Sequence, residues 1–398
     1  MKKTLALLLA AALLLAFLPV LGVSAEGSVG LVYESNGDGT CTLTGIGTCE
    51  DTDVVIPSKS PAGDTVTEIG EEAFYGNTTI ESVTIPASVT FLYGGAFFKC
   101  AKLASVTVPG GALVSPGTFG ACPALTGFTV SGETTECCAV DGVLFSADKE
   151  HLICFPAGKK TTDYTVPDTV FHLYPGAFCG NVNLKTVTLP ESVTAIGEDA
   201  FYCCTALEKV TITSTEAEIS YYAFAKCPKL ATVLLPESMW SIREGAFSDC
   251  TALASITVPD GIGAVEYNTF KDCTALKSVT LTKNLRAVNG GAFSGCTALC
   301  DVYYAGTKDE WDAVYIDDDD NEPFLRAKLH LGAGSSEAGD VDGNGEVTAD
   351  DLTALARHVG KIETLTDARA LAAADYNGDS DVTSDDLTAL ARKIAKID

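Results

Sequence analysis

Basic residues are scarce in this chain. Lys and Arg number 26 against 53 Asp and Glu, for a formal net charge of −27. Phosphate backbones are gripped by basic stripes, so a nucleic-acid partner is excluded. Histidine is rarer still, with four residues (His151, His172, His330, His358) dispersed along the sequence. No His-Glu-x-x-His, Gly-x-Ser-x-Gly or phosphate loop occurs. Beyond residue 25 no apolar run is long enough to span a bilayer, which takes about 20 residues. Together these absences leave a nucleic-acid binder, a familiar catalytic motif and a membrane span after residue 25 without support in the sequence.

Secretion is what the first residues predict. Lys2 and Lys3 precede an apolar run from Leu5 to Leu15, and Val23-Ser24-Ala25 supplies a small-x-small cleavage site. This is the pattern of a signal peptide over 1–25, with no transmembrane segment left after cleavage.

Most of the chain beyond the signal is one phrase repeated. Ala-Phe, or Thr-Phe in two instances, recurs at Phe74, Phe97, Phe119, Phe178, Phe201, Phe224, Phe247, Phe270 and Phe293, at spacings of 23, 22, 59 and then 23 five times. Six residues after each Phe comes Leu or Ile, and then an alternating piece such as Ser82-Val83-Thr84-Ile85-Pro86. A fixed period of this length with one short strand per unit predicts a solenoid. A single unit cannot bury its own Phe, Leu and Val, whereas stacked units bury them against one another. Alternation sends Val and Ile inward and Ser and Thr outward. Nine coils at about 4.8 Å each would make a body roughly 43 Å long before caps.

Three residues after the Phe stands Cys100, Cys122, Cys204, Cys227, Cys250, Cys273 or Cys296, and in two coils Asn77 or Asn181. Asn cannot bridge, so the register reads as a ladder of buried free thiols rather than serial disulfides. Cys41 and Cys49 flank a Gly-rich turn, and the sequence leaves a bridge between them open. Cys137, Cys138 and Cys154 offer a second candidate bridge. The total of fifteen cysteines is odd.

The phrases "SVTIPASVTFLYGGAFFKCAKL" and "ITSTEAEISYYAFAKCPKLATVLLPESMWSIREGAFSDCTAL" resemble the BspA-type leucine-rich repeat family. The interruption at 141–170 resembles a hairpin insertion of that family, and "DVYYAGTKDEWDAVYIDDDDNEPFLRAKLHL" its C-terminal cap. The resemblance implies a β-rich, right-handed leucine-rich-repeat solenoid used for adhesion on bacterial secreted or surface proteins. It names no ligand.

After residue 339 one unit occurs twice, "DVDGNGEVTADDLTALARHVGKI" from Asp340 and "DYNGDSDVTSDDLTALARKIAKI" from Asp375. Each opens with oxygen donors at positions 1, 3, 5 and 12 of a loop, and a backbone carbonyl at position 7. The first offers Asp340, Asp342, Asn344, Glu346 and Asp351, and the second Asp375, Asn377, Asp379, Asp381 and Asp386. Two calcium ions are therefore expected. Each loop runs into an amphipathic helix, with apolar stripes Leu352, Leu355, Ala356, Val359, Ile362 and Leu387, Leu390, Ala391, Ile394, Ile397. The module resembles a type I dockerin, a small all-α paired calcium-loop domain that docks onto cohesin domains of cellulosome scaffolds. It departs from the pattern at Ser380, where Gly is usual at position 6. A left-handed backbone there costs about 1–2 kcal/mol and weakens the second loop. The near-identity of the copies implies dual docking through Ala349, Asp350 and Arg357 or through Ser384, Asp385 and Arg392.

The organisation expected is a signal peptide at 1–25, an N-terminal cap at 26–70 and a solenoid at 71–331 with a hairpin insertion at 131–170 and a C-terminal cap at 300–331. A linker at 332–339 and a dockerin at 340–398 complete it. Every segment is accounted for without a catalytic domain. The reading is a secreted recognition or adhesion subunit that docks onto a cohesin of a cellulosome-like complex, in the context of polysaccharide breakdown, with an unidentified protein or glycan on the solenoid. The alternatives are a free surface adhesin whose calcium module only stabilises it, and a polysaccharide hydrolase whose carboxylates meet across coils. Tyr221, Tyr222, Tyr267, Tyr303, Tyr304 and Trp311 either line a ligand surface or pack the coils. The run Asp317 to Asp320 reads as a solvated loop ahead of a third cation site.

Overall fold

The computed structural model describes residues 27–332, 341, 349–359, 374–376 and 382–394. Residues 27–332 form a solenoid of parallel strands. Each coil contributes two strands, where one was expected. The longer ones carry the alternating phrase, as in Ser82–Thr84, Ser105–Pro109 and Gly127–Ser131, and pair in register with Val83 opposite Val106 opposite Phe128. The shorter are two residues long, such as Phe91–Leu92, Ala195–Ile196 and Ala287–Val288. Each sends a single apolar side chain inward, so no alternation betrays it in the sequence.

The Ala-Phe phrase forms the turn that joins the two faces. The phenylalanine rings stack from coil to coil, with centroids 4.9 Å apart for Phe74–Phe97, 4.5 Å for Phe178–Phe201 and 5.4 Å for Phe224–Phe247. The backbone two residues before each Phe is left-handed, at Glu72, Gly95, Gly117, Gly176, Asp199, Tyr222, Gly245, Asn268 and Gly291. So is the backbone two residues after, as at Lys99, Ala121, Cys203, Lys226, Asp249 and Asp272. These twists turn amide groups toward the next coil: Phe201 N donates to Ala223 O at 2.7 Å and Cys203 N to Ala225 O at 3.0 Å. A non-Gly residue there costs about 1–2 kcal/mol. A fully buried Phe returns about 1.5–3 kcal/mol, and its stacking about 0.5–1.5 kcal/mol more. The turn therefore tolerates side chains at both positions.

The thiol register explains its own composition. Cys250 Sγ donates to Phe224 O at 3.2 Å, Cys273 Sγ to Phe247 O at 3.1 Å and Cys296 Sγ to Phe270 O at 3.0 Å, each reaching the preceding coil. Asn181 makes the same reach, its Nδ2 donating to Pro156 O at 3.1 Å. Its Oδ1 also accepts from the Leu184 amide at 2.8 Å. The position wants a small buried donor, and Cys or Asn supplies it. Burial raises the Cys227, Cys250 and Cys273 thiols well above their usual range, so the donor proton stays on. All fifteen cysteines are free thiols, so neither Cys41 with Cys49 nor the Cys137, Cys138 and Cys154 group is bridged.

The ladder extends beyond the nine expected coils. Asp53–Val55 pairs with Ser82–Thr84 ahead of the first Phe, and Asp301–Tyr304 pairs with Lys328–Leu331 after the last. In the C-terminal cap, helices α1 (Lys308–Asp312) and α2 (Glu322–Arg326) replace turns. Phe324 of α2 stacks on Phe293 at 4.8 Å. Asn321 is buried just before α2, and its Oδ1 accepts from the Phe293 amide at 3.0 Å. In inner coils a carbonyl of the next turn takes that bond, so the Asn side chain terminates the ladder. The run Asp317 to Asp320 is the turn leading to this residue, and Asn321 Nδ2 donates to Asp317 O at 2.8 Å.

The insertion is more than a surface hairpin. Cys137–Val140 and Val143–Ser146 pair antiparallel, and His151–Cys154 joins them before continuing parallel into His172–Leu173. Cys137, Leu144, Ile153 and Cys154 face an N-terminal core that begins at Leu31. Cys138, Val143, Phe145 and Leu152 face a C-terminal core that runs to Phe324. The three strands are a wall with an apolar core on either side. Adjacent Cys137 and Cys138 are both buried because they point to opposite faces of one strand. Phe155 follows the wall and stacks on Phe178 at 5.0 Å, starting a second Phe stack, while Phe119 ends the first edge-on against Phe128.

Candidate functional site

Two helices carry the second module, α3 (Ala349–Val359) and α4 (Ser384–Ile394), and they pack against each other. Leu355 and Leu390 are fully buried between them, with Val341 and Ala374. Leu352, Val359, Tyr376, Val382, Leu387 and Ile394 close the edges. Ala356, placed in the apolar stripe by its spacing, is exposed. Residues 35 apart occupy equivalent places, as Leu355 and Leu390 do, and Leu352 and Leu387.

The same offset relates two carboxylates. Asp351 and Asp386 are each 0 % exposed in the first turn of their helices. Thr383 caps α4: its Oγ1 accepts from the Asp385 amide at 3.2 Å, and Asp386 Oδ2 accepts from the Thr383 amide at 2.8 Å. This reciprocal cap fixes the Asp386 rotamer. The helix N-terminus favours the anion by about 0.3–1 kcal/mol at a surface. Removing a carboxylate from water costs several kcal/mol. The dipole and hydrogen bonds such as that from the Thr383 amide offset part of that cost, and a hard divalent cation held by several oxygens would offset more. Asp375, at position 1 of the second loop, is half-buried beside the Ala374 core. The donor set is all oxygen and fits calcium.

Asp340, Asp342, Asn344, Glu346, Asn377, Asp379 and Asp381 lie outside the described residues, as does Ser380. The proposed docking residues fall on the two helices. Ala349, Asp350 and Arg357 are on α3, while Ser384, Asp385 and Arg392 lie on α4. Lys393 of α4 lies over the Tyr376 ring at 5.6 Å.

Family models match both regions. The model described as BspA type leucine rich repeat region matches residues 50–139, 153–240 and 217–308, in six copies. The chain belongs to the BspA-type leucine-rich repeat family. Residues 338–395 match the dockerin type I domain, so the buried carboxylates sit in a domain type that binds calcium. No curated protein sequence matches the chain. Among solved structures the chain is similar to a leucine rich cell surface protein from Faecalibacterium prausnitzii A2-165, at 21% identity over 73% of this chain and 97% of that one, with a TM-score of 0.44. It is also similar to a leucine-rich repeat protein from Eubacterium ventriosum ATCC 27560, at 21% identity over 67% and 93%, with a TM-score of 0.45. The pneumococcal vaccine antigen PcpA matches at 18% over 77% and 92%, also with a TM-score of 0.45.

On the repeat solenoid, the aromatic residues set apart by sequence divide. Tyr304 is buried, and Trp311 packs against the cap core. Tyr303 stacks on His330 at 4.5 Å, and Tyr222 donates to Glu244 Oε1 at 3.0 Å. Tyr221 and Tyr267 are 45% and 49% exposed, and Trp240, which sequence reasoning passed over, is 53% exposed. The histidines, dispersed in sequence, are not all dispersed in space. His151 and His172 face each other across paired strands, which only the end register of the insertion could have revealed. No helix among the described residues is long and apolar enough to cross a membrane.

Proposed function

We propose that the protein is a secreted, non-catalytic recognition subunit that docks through its dockerin onto a cohesin of a cellulosome-like scaffold. The dockerin holds two calcium ions, and the solenoid presents a protein or glycan ligand-binding surface in the setting of polysaccharide breakdown. The observation that carries this reading is the division of labour in one chain, a continuous adhesion-type solenoid followed by a docking domain with two equivalent buried carboxylates. Asp340, Asp342, Asn344, Glu346 and Asp351 hold one ion, and Asp375, Asn377, Asp379, Asp381 and Asp386 the other. A pull-down against a panel of cohesins, with calcium and with chelator, tests it. Capture only in calcium supports docking; no capture by any cohesin favours a free adhesin with a stabilising calcium module.

The 35-residue equivalence of α3 and α4 supports docking in two orientations. Losing one of two equal orientations costs RT ln 2, about 0.4 kcal/mol. Asp350→Ala with Arg357→Ala therefore leaves cohesin affinity within about twofold, as does Asp385→Ala with Arg392→Ala. All four changes abolish capture. A loss above about tenfold from one pair means that a single orientation dominates.

A further inference from the structure

Two of the four histidines in the chain stand side by side where the partition wall meets the first coil of the C-terminal stack. His151 and His172 are directly paired residues on neighbouring parallel strands, and both are partly buried. Their ring centroids are 5.5 Å apart, edge to face. Phe171 and Tyr174 wall the pair, with ring centroids 4.9 Å and 5.4 Å from His151. The shelf is open on its outer side, where Phe171 is 38% exposed.

We propose that His151 and His172 form a binding site for a divalent transition-metal ion of the zinc class. Two imidazoles sharing one tetrahedral ion have centroids roughly 5 Å apart, because each metal–nitrogen bond is about 2.0–2.1 Å. The observed separation of 5.5 Å lies close to that value. His151 Nδ1 is buried with no hydrogen-bond partner among the described residues. A buried polar atom left that way costs about 1–3 kcal/mol, and a ligated ion would relieve it. Burial, reinforced by repulsion from His151, lowers the His172 pKa. This favours the neutral imidazole that ligates metal. Asp148, in the turn before His151, accepts from Ser146 Oγ and from the Glu150 amide; these bonds chiefly, with a smaller contribution from His151, lower its pKa.

Among the described residues no third His, Cys, Asp or Glu converges on the pair. Two coordination positions are thus left to water or to an oxygen or nitrogen of an external molecule. Closed four-ligand sites are structural, whereas open ones accept ligands. Imidazole donors select zinc, copper or nickel over calcium, so this ion is distinct from those of the dockerin.

The test uses the full mature chain labelled with 13C at histidine Cε1, in excess calcium so that the acidic loops are filled, and in a Cys300→Ser background to remove the exposed thiol. With four histidines, the spectrum holds four signals. Zinc should move the His151 and His172 signals together and saturate at one equivalent, leaving His330 and His358 in place. His172→Phe, which retains the ring packing, should weaken zinc binding at least tenfold in calorimetry while leaving the zinc-free melting temperature unchanged. If that variant melts early, the wild-type spectrum still decides. Zinc shifts confined to His330 or His358, or no shift at all, would overturn the proposal.

Discussion

The solenoid and the dockerin solve the same problem of burial in opposite ways. In the solenoid each coil finds its core in the next, and Phe, Val, Leu and thiol rows run along each of the two cores without a charged residue inside. In the dockerin only Val341, Leu355, Ala374 and Leu390 are fully buried among the described residues, alongside two carboxylates. A domain of about 60 residues rarely supplies a large hydrophobic core of its own, and a bound metal is one staple that small domains use. Nearest-neighbour contact stabilises the one, and on the proposed function an ion stabilises the other.

Removing calcium is the most severe challenge to that contrast. Chelation should unfold residues 340–398 and take away several kcal/mol of apparent stability there, because the site's carboxylates repel one another without the ion. Circular dichroism should lose its helical component and retain the β signal. Helix content that survives chelation would mean that the small core suffices alone.

Next in size, Phe224→Ala empties one rung between Phe201 and Phe247 and should cost about 3–5 kcal/mol. Denaturant melts should show the loss in the solenoid transition and none in cohesin binding. Asn321→Ala removes the side chain that terminates the ladder, leaving the Phe293 amide and two carbonyls without it. The cost should be about 1–3 kcal/mol, expressed as fraying of the C-terminal cap in hydrogen exchange.

The smallest effect is electrostatic. Asp199 holds a left-handed turn position, and burial, with repulsion from Glu198, pushes its carboxyl up to about 6. The folded state binds this proton more tightly than the unfolded chain does. Its charge therefore opposes folding above about pH 6, and the penalty is relieved as pH falls through that value toward the unfolded pKa. Asp199→Asn should raise the melting temperature by about 1–2 °C at pH 8 and leave it unchanged at pH 4. Equal effects at both values would trace the gain to backbone preference instead.

The period, the inward Val and Ile and the thiol ladder were legible because every coil repeats them. What repetition does not mark stayed hidden. The two-residue strands carry too little pattern. Phe155 and Phe324 belong to the stacks but lack the Ala-Phe phrase. Cys137 and Cys138 looked like bridge candidates because a wall between two cores has no periodic signature. His151 and His172, 21 residues apart, meet only because the wall's last strand is also the first rung of the next stack. In the dockerin the loop spacing pointed to Asp351 and Asp386 directly, since two copies of one ligand register lie 35 residues apart.

The strands run across the long axis of the solenoid, and this sets how the molecule would carry load. A subunit anchored at its C-terminal end and pulled from its N-terminal end bears tension along the stack. Its inter-coil hydrogen bonds then open in sequence, as in a zipper, rather than shearing together. Each coil of 23 residues released in this way adds about 75 Å of contour length, at about 3.3 Å per residue. The wall at residues 137–154 interrupts the stack, and its antiparallel strands must be pulled apart as a unit. A force trace should therefore show a train of equal small steps broken by one larger event.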